Sequence, residues 1–238
     1  KAKVTPESKL PKPLDFDKMF NKYIAGKEKV WKYDRNESLG ASEAFNCLRK
    51  SFFDKFSDKH EFEPDDDYEN RWGAMERGND IEDHFLVPAV TAGKPKYVKF
   101  KYAGQKNQKT LLHELASATP DGLLTNLAQN ALELYGVLDI ESDCILTEVK
   151  SIDPRSTIKE EKAVHHGQAQ MQMGLVREKT KYKPNYTIIL YINASFLDDV
   201  TPFVVKYDPS IYASGHSRSK TLFAADKAED LAPEGKES

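Results

Sequence analysis

The chain of 238 residues is 39% hydrophobic and 31% charged, an ordinary globular composition with enough apolar mass for a sizeable core. Its formal net charge of -3 does not mark a nucleic-acid binder, no apolar run approaches a membrane span, and the start, KAKVTPESKLPKP, lacks the apolar core of a signal peptide. Cys47 and Cys144, far apart in apolar patterns, fit reduced core thiols and exclude a four-cysteine zinc or iron–sulfur site, so a soluble cytoplasmic protein is expected.

Residues 1–13, rich in Lys and Pro, read as a flexible arm, and the polar stretch 214–238 reads as a flexible tail around one domain spanning 14–213. Phe45, Leu48, Phe52 and Phe56 recur at helical spacing, which predicts a helix over 42–58 with Ser42 as its N-cap. The segment EPDDDYEN lacks the glycine and spaced glutamate of a calcium loop and reads as a solvated acidic turn. A second helix is predicted over 73–87, stopped by Pro88, with Met75, Gly78, Glu82 and Phe85 on its inner stripe.

The segment GKPKYVKFKYAGQKNQKT has six lysines and no acid, and Val98, Phe100 and Tyr102 alternate in it with Lys99 and Lys101. It reads as a basic hairpin insertion around 93–110, equally suited to a DNA-contacting surface or a plain solvated face. Strand-like stretches follow at LLHELASA, PDGLLTN, LELYGVLDI and CILTEVKSI, then a helix over 158–179, then strands at YTIILYIN and PFVVKYD.

The stretch CILTEVKSI raises the functional question. Strand alternation sets Cys144, Leu146, Glu148, Lys150 and Ile152 on one face, so two charges leave a face that begins apolar. An edge strand whose Glu/Lys pair guards against aggregation accounts for that pattern taken alone. Other segments repeat the anomaly: Glu82 lies on an inner helical stripe, and Gln168 interrupts the stripe Val164, Gln168, Met171, Leu175 of the following helix. Asp121, in TPDGLL, reads by itself as a turn residue. Clustered carboxylates raise one another's pKa unless a cation neutralises them, and Mg²⁺ prefers such oxygen ligands. A lysine beside them can orient the water that attacks a phosphodiester.

The ordered series DRNESLGASEAFNCLRK, MERGNDIEDHF, ATPDGLL, LTEVKS and GQAQMQMGL resembles the PD-(D/E)XK nuclease superfamily, and within it the phage lambda exonuclease and YqaJ-like viral recombinase group. The resemblance spans about residues 34–175. It implies an α/β restriction-endonuclease-like core, a central mixed β-sheet flanked by helices, and a Mg²⁺-dependent phosphodiesterase for which Mn²⁺ can substitute. By the same resemblance Asp121, Glu148 and the Val149 carbonyl hold the metal, and Glu82 reaches it directly or through water. Lys150 positions the attacking water and Gln168 steadies that lysine or the substrate end of the site, while Arg35 and Ser42 hold a terminal 5′-phosphate.

The implied activity is a 5′→3′ exonuclease on double-stranded DNA ends, leaving 3′ overhangs for recombination. A single-strand annealing protein is the implied partner, a trimer the implied assembly, and the host cytoplasm the place of action if the chain is phage-encoded. A structure-specific or restriction-type endonuclease and a non-catalytic DNA-binding protein of the same fold remain the alternatives. The chain departs from the group by inserting NLAQNALELYGVLDIESD between Asp121 and Glu148, which keeps Glu133, Asp139 and Glu141 open as neighbours of the metal.

Overall fold

The computed structural model describes residues 15–26, 34–56 and 72–231. The expected arm at 1–13 and the acidic turn EPDDDYEN lie outside them. The helices are α1 (Phe16–Ala25), α2 (Leu48–Lys55), α3 (Trp72–Ile81), α4 (Val87–Gly93), α5 (Ala163–Lys179) and α6 (Pro209–Ala224). The strands are β1 (Leu39–Gly40), β2 (Lys99–Lys101), β3 (Leu111–His113), β4 (Ala116–Ala118), β5 (Gly122–Thr125), β6 (Cys144–Ile152), β7 (Tyr186–Asn193) and β8 (Val200–Lys206). None of the described helices is long and apolar enough to cross a membrane.

The strands form two mixed sheets. The larger has the order β2-β5-β6-β7-β8, parallel only between β6 and β7, and the smaller has the order β1-β4-β3. A parallel pair needs a crossover, and α5 supplies it. The sequences of β6 and β7 suit the middle of such a sheet. CILTE is buried residue by residue, and YTIILYIN is buried at every position but one.

Cys144 and Leu146 of β6 face the main core with Met171, Met173, Leu175 and Phe52, whereas Ile145 faces a second cluster with Leu132, Ile140, Tyr186 and Ile188. Leu132 and Ile140 belong to the insertion. It is therefore a lid over the outer face of the sheet, and LELYGVLDI forms a short 3₁₀ turn at Glu133–Tyr135 where a strand was expected. Gly136, at φ +82°, ends that turn in the left-handed region, which breaks the extended run.

Helix α5 is buried along residues 167–176, so it lies between layers and does not float on one. On its sequence, the small residues Gly167 and Gly174 suit close approach to a sheet. They meet other partners: a Cβ on Gly167 would fall 2.3 Å from the Phe45 ring, and one on Gly174 would fall 2.2 Å from the Tyr212 ring of α6. The helix begins at Ala163, five residues later than predicted, after the turns at 153–162.

Other boundaries also moved. Residues 41–45 form a turn in which the Gly40 carbonyl accepts from the N–H groups of Glu43 and Ala44, so α2 starts at Leu48 and Ser42 does not cap it. Pro88 does not stop the second helix. A π turn at Glu82–Leu86, with the Val87 N–H donating to the Glu82 carbonyl, shifts the hydrogen-bond frame just ahead of it. Pro88 then stands in the first turn of α4, where its missing N–H costs nothing.

The basic segment is not a hairpin. Strand β2 pairs with β5, more than twenty residues on, as an edge strand of the larger sheet, and residues 102–110 form a loop after it. The tail expected from residue 214 is ordered to Leu231. Asp208 caps α6 by accepting from the Ser210 N–H, Pro209 opens the helix, and Leu222, Ala228 and Leu231 enter the main core.

Candidate active site

The ladder between β5 and β6 ends at Gly122 opposite Thr147, because Pro120 and Asp121 leave the strand there. Strand β6 runs on for five residues paired to β7 alone. Its open edge would leave the Val149 N–H unpaired, and the Asp121 carboxylate takes it at 2.8 Å. This bond sets Asp121 beside Glu148. In an extended strand a residue's carbonyl points to the same side as its N–H, so the Val149 carbonyl faces the same opening.

That opening is a cavity of about 330 Å³. Arg35, Ser42, Glu82, Asp121, Glu148, Val149, Lys150 and Gln168 all line it, which brings together every residue to which the resemblance gives a role. Glu133, Asp139 and Glu141 do not line it. The insertion carries them on the opposite side of the sheet, where Glu141 pairs with Lys206 at 3.0 Å and accepts from Asn185.

Glu148 is 1% exposed, and its carboxylate is held by three donors. Lys150 Nζ lies 2.6 Å from Oε1, the Gln168 amide donates to Oε1 at 2.6 Å, and the Gln172 amide donates to Oε2 at 2.6 Å. The carbonyl oxygen of Gln168 accepts from Lys150 at 2.9 Å, so this one amide fixes both charges. Glu82 sits on the π turn. Its oxygens accept from the Gly104 N–H at 3.0 Å and from the side-chain amides of Gln105 and Gln108 at 2.8–3.1 Å. The loop after the basic strand thus clamps Glu82 in place. With donors of its own on each carboxylate, the set Glu82, Asp121 and Glu148 does not draw together within 4.8 Å.

Three carboxylates here face one ammonium. Burial, then the charges of Glu148 and Glu82, push the Asp121 carboxyl well above the ordinary aspartate value; Lys150 and the Val149 N–H oppose this only in part. Burial also raises Glu82, against the hydrogen bonds from Gln108, Gly104 and Gln105. For Lys150, burial favours the neutral amine, but Glu148 and Asp121 outweigh it and the ammonium is strengthened. Lys150 thus stands as a cation and donor between Glu148 and Gln168.

The cavity is also lined by Arg35, from the short turn at Arg35–Glu37 ahead of β1, and by Ser42, from the turn after β1. Arg35 Nη2 lies 2.8 Å from Glu43 Oε1, and Lys55 Nζ, on a side chain only 4% exposed, lies 2.9 Å from Glu43 Oε2. The Gly40 N–H also donates to Glu43. Burial would raise the Glu43 carboxyl, but Lys55, Gly40 and Arg35 bring it below the ordinary value.

Sequence reasoning missed Gln172, Glu43, Lys55 and the Gln105/Gln108 clamp. Only Gln172 left a clear signal, since it follows Gln168 by one helical turn. Two buried polar atoms on the cavity wall, Ser38 Oγ and Gln172 Oε1, have no hydrogen-bond partner among the described residues. Such atoms are rare in protein interiors and fit a site built for a polar ligand.

The donor set suits a hard divalent ion. Carboxylates of Asp121, Glu148 and Glu82 and the Val149 carbonyl offer oxygen only, in a cavity with excess negative charge.

The sequence matches no protein-family model and no curated protein. Among solved structures, the chain is similar to an alkaline exonuclease (LHK-Exo) from Laribacter hongkongensis, with a TM-score of 0.50 at 15% identity over 80% of this chain and 88% of that one. It is likewise similar to LHK-Exo in complex with dAMP, with a TM-score of 0.50 at 15% identity over 85% and 90% of the two chains. A phage-related exonuclease from Haemophilus somnus 129PT gives a TM-score of 0.47 at 12% identity over 78% and 91%. The mixed sheet, the β6-α5-β7 crossover and the open edge beyond Thr147 are thus a PD-(D/E)XK restriction-endonuclease-like fold, the one this chain shares with the alkaline exonuclease.

Proposed function

We propose that the protein is a Mg²⁺-dependent deoxyribonuclease, a 5′→3′ exonuclease that shortens one strand at double-stranded DNA ends and leaves 3′ overhangs for recombination. The carrying observation is the convergence of Asp121, Glu148 and Lys150 on a cavity that Arg35 and Ser42 also line. The fold shared with an alkaline exonuclease that has been solved with dAMP supports the same reading. The cavity's volume is in the small-molecule range of about 300–1,000 Å³, which suits a strand end better than an uninterrupted duplex.

In this reading Asp121, Glu148 and the Val149 carbonyl would hold Mg²⁺, or Mn²⁺ in its place, and Glu82 would reach it directly or through water. The ion supplies Lewis-acid stabilisation of charge on the phosphoryl oxygens. The chain's own residues do the rest. Lys150, pinned by Gln168 and Glu148, donates to the attacking water and sets it in line with the phosphorus. Arg35 and the Ser42 hydroxyl hold the terminal phosphate and so fix the cut one nucleotide in. Lys99 and Lys101 of β2, with the loop beyond, give the DNA backbone a basic rail beside the Glu82 clamp.

Linear, nicked and closed circular DNA incubated with the protein in Mg²⁺ test the proposal. Loss of linear DNA alone is expected, and Glu148→Ala and Lys150→Ala should abolish it while DNA binding persists. Linearised circles would make the enzyme an endonuclease. Undiminished cutting by both variants would sink the assignment.

A further inference from the structure

A second polar cluster lies away from this cavity. His113 ends β3, Glu178 lies in the last turn of α5, and His216 lies within α6. One ligand atom from each falls within 4.8 Å of the others. They line an open cleft of about 520 Å³. From these positions we infer that His113, Glu178 and His216 form a binding site for a transition-metal ion of the Zn²⁺ class, separate from the oxygen-lined cavity.

The chemistry of the donors carries the assignment. Two imidazoles and one carboxylate suit Zn²⁺, Co²⁺ or Ni²⁺, whereas Mg²⁺ favours oxygen alone. The spacing fits as well. His113 Nε2 lies 3.1 Å from Glu178 Oε2, and bonds of about 2.0–2.1 Å in a tetrahedron put neighbouring ligand atoms roughly 3.3 Å apart. The Tyr212 hydroxyl donates to Glu178 Oε2 at 2.8 Å and lies 2.9 Å from His216 Nε2, so the carboxylate already has the outer hydrogen bond that steadies a ligand. The nearest ammonium, Lys220, is paired with Glu114 at 3.0 Å and does not occupy the three ligands.

Two of the three elements that the site joins, α5 and the β3-β4 hairpin, also build the active cavity. Helix α5 carries Gln172 and Glu178 about 9 Å apart along its axis, and the β3-β4 hairpin leads directly to Asp121. An ion bound here ties that hairpin to α5 and α6. Its effect is on the stability of the framework, and the site has one position open to water.

Zn²⁺ titrated calorimetrically into the full-length, metal-stripped protein in Mg²⁺-saturated buffer tests the inference, with Co²⁺ absorption as the reporter of imidazole ligation. One equivalent should bind, raise the melting temperature by several degrees, and give visible Co²⁺ bands. His113→Asn and His216→Asn should each weaken binding more than about tenfold, while Asp121→Asn binds as the parent does. Far-UV circular dichroism checks folding; should His216→Asn unfold, the half-exposed His113 decides the matter. Failure to bind in Mg²⁺, binding unaffected by the histidine variants, or binding lost in Asp121→Asn would each overturn the site, and none of these outcomes depends on nuclease activity.

Discussion

Gln172 donates its side-chain amide to Glu148 Oε2 at 2.6 Å, while its own carbonyl oxygen, buried on the cavity wall, has no partner among the described residues. A purely structural glutamine would satisfy both ends, so this one is placed for Glu148 and for whatever enters the cavity. Gln172→Met keeps the volume and removes both groups. Unfolding free energy should stay within about 1 kcal/mol, since an unsatisfied carbonyl leaves along with the lost bond. The Mg²⁺ concentration for half-maximal activity should rise about tenfold or more. A large loss of stability with unchanged Mg²⁺ dependence would assign Gln172 to packing alone.

Gln168 acts on Lys150 as well as on Glu148. Gln168→Leu should lower kcat about 10- to 100-fold with little change in KM for DNA, because Lys150 keeps its charge and loses the acceptor that aims it. Steady-state kinetics on linear duplex ends reads the split. A rise in KM with kcat intact would mean that Gln168 serves substrate binding.

Glu43 ties Arg35, on the cavity wall, to the scaffold through Lys55, which is nearly inaccessible and pairs with it. Glu43→Gln should cost about 3 kcal/mol in urea unfolding at pH 7, the penalty for leaving a buried ammonium without its counter-charge. Because the Glu43 carboxyl is lowered in the folded state, its contribution is present above the ordinary value of 4.5 and is lost as pH falls through the lowered one. The stability difference between parent and variant should therefore shrink in acid. A difference that persists unchanged at low pH would rule out the ionic account.

What sequence alone made visible were the groups that break a local pattern. Glu148 and Lys150 on an apolar strand face, Gln168 on a helical stripe and Glu82 on another were legible because period and polarity disagreed, and the cavity unites them. Boundaries set by tertiary contacts were not legible in this way. Helix α6 looks like a polar tail because its buried positions are Gly215 and Ser219 as much as Tyr212 and Leu222, and they are buried through contacts with α5: Met171 packs against Gly215, and Tyr212 against Gly174. The insertion read as a strand because Leu132 and Ile140 are apolar for a different reason: they cap the sheet from outside. The Glu82 clamp joins residues more than twenty positions apart, and no local period announces it.

The crowding of acids at the cavity also predicts an inverse relation between stability and activity at Asp121. Its carboxyl is raised in the folded state, first by burial and then by Glu148 and Glu82, so the folded chain holds a proton that the unfolded chain has already released. Stability must then fall as pH rises from the ordinary value of 3.8 through the raised one, and the deficit persists at neutral pH. Asp121→Asn keeps an oxygen to accept the Val149 N–H and removes the charge. The variant should be inactive yet more stable than the parent at pH 8, by on the order of 1 kcal/mol, with the two curves meeting in acid. Mg²⁺ should stabilise the parent, by about 2.7 kcal/mol at one hundred times its Kd, and leave the variant unmoved. Thermal unfolding across pH 3–9, with and without Mg²⁺, measures all of this. A variant less stable than the parent at pH 8 would mean that the Asp121 charge is compensated within the chain, and that the cavity needs no cation.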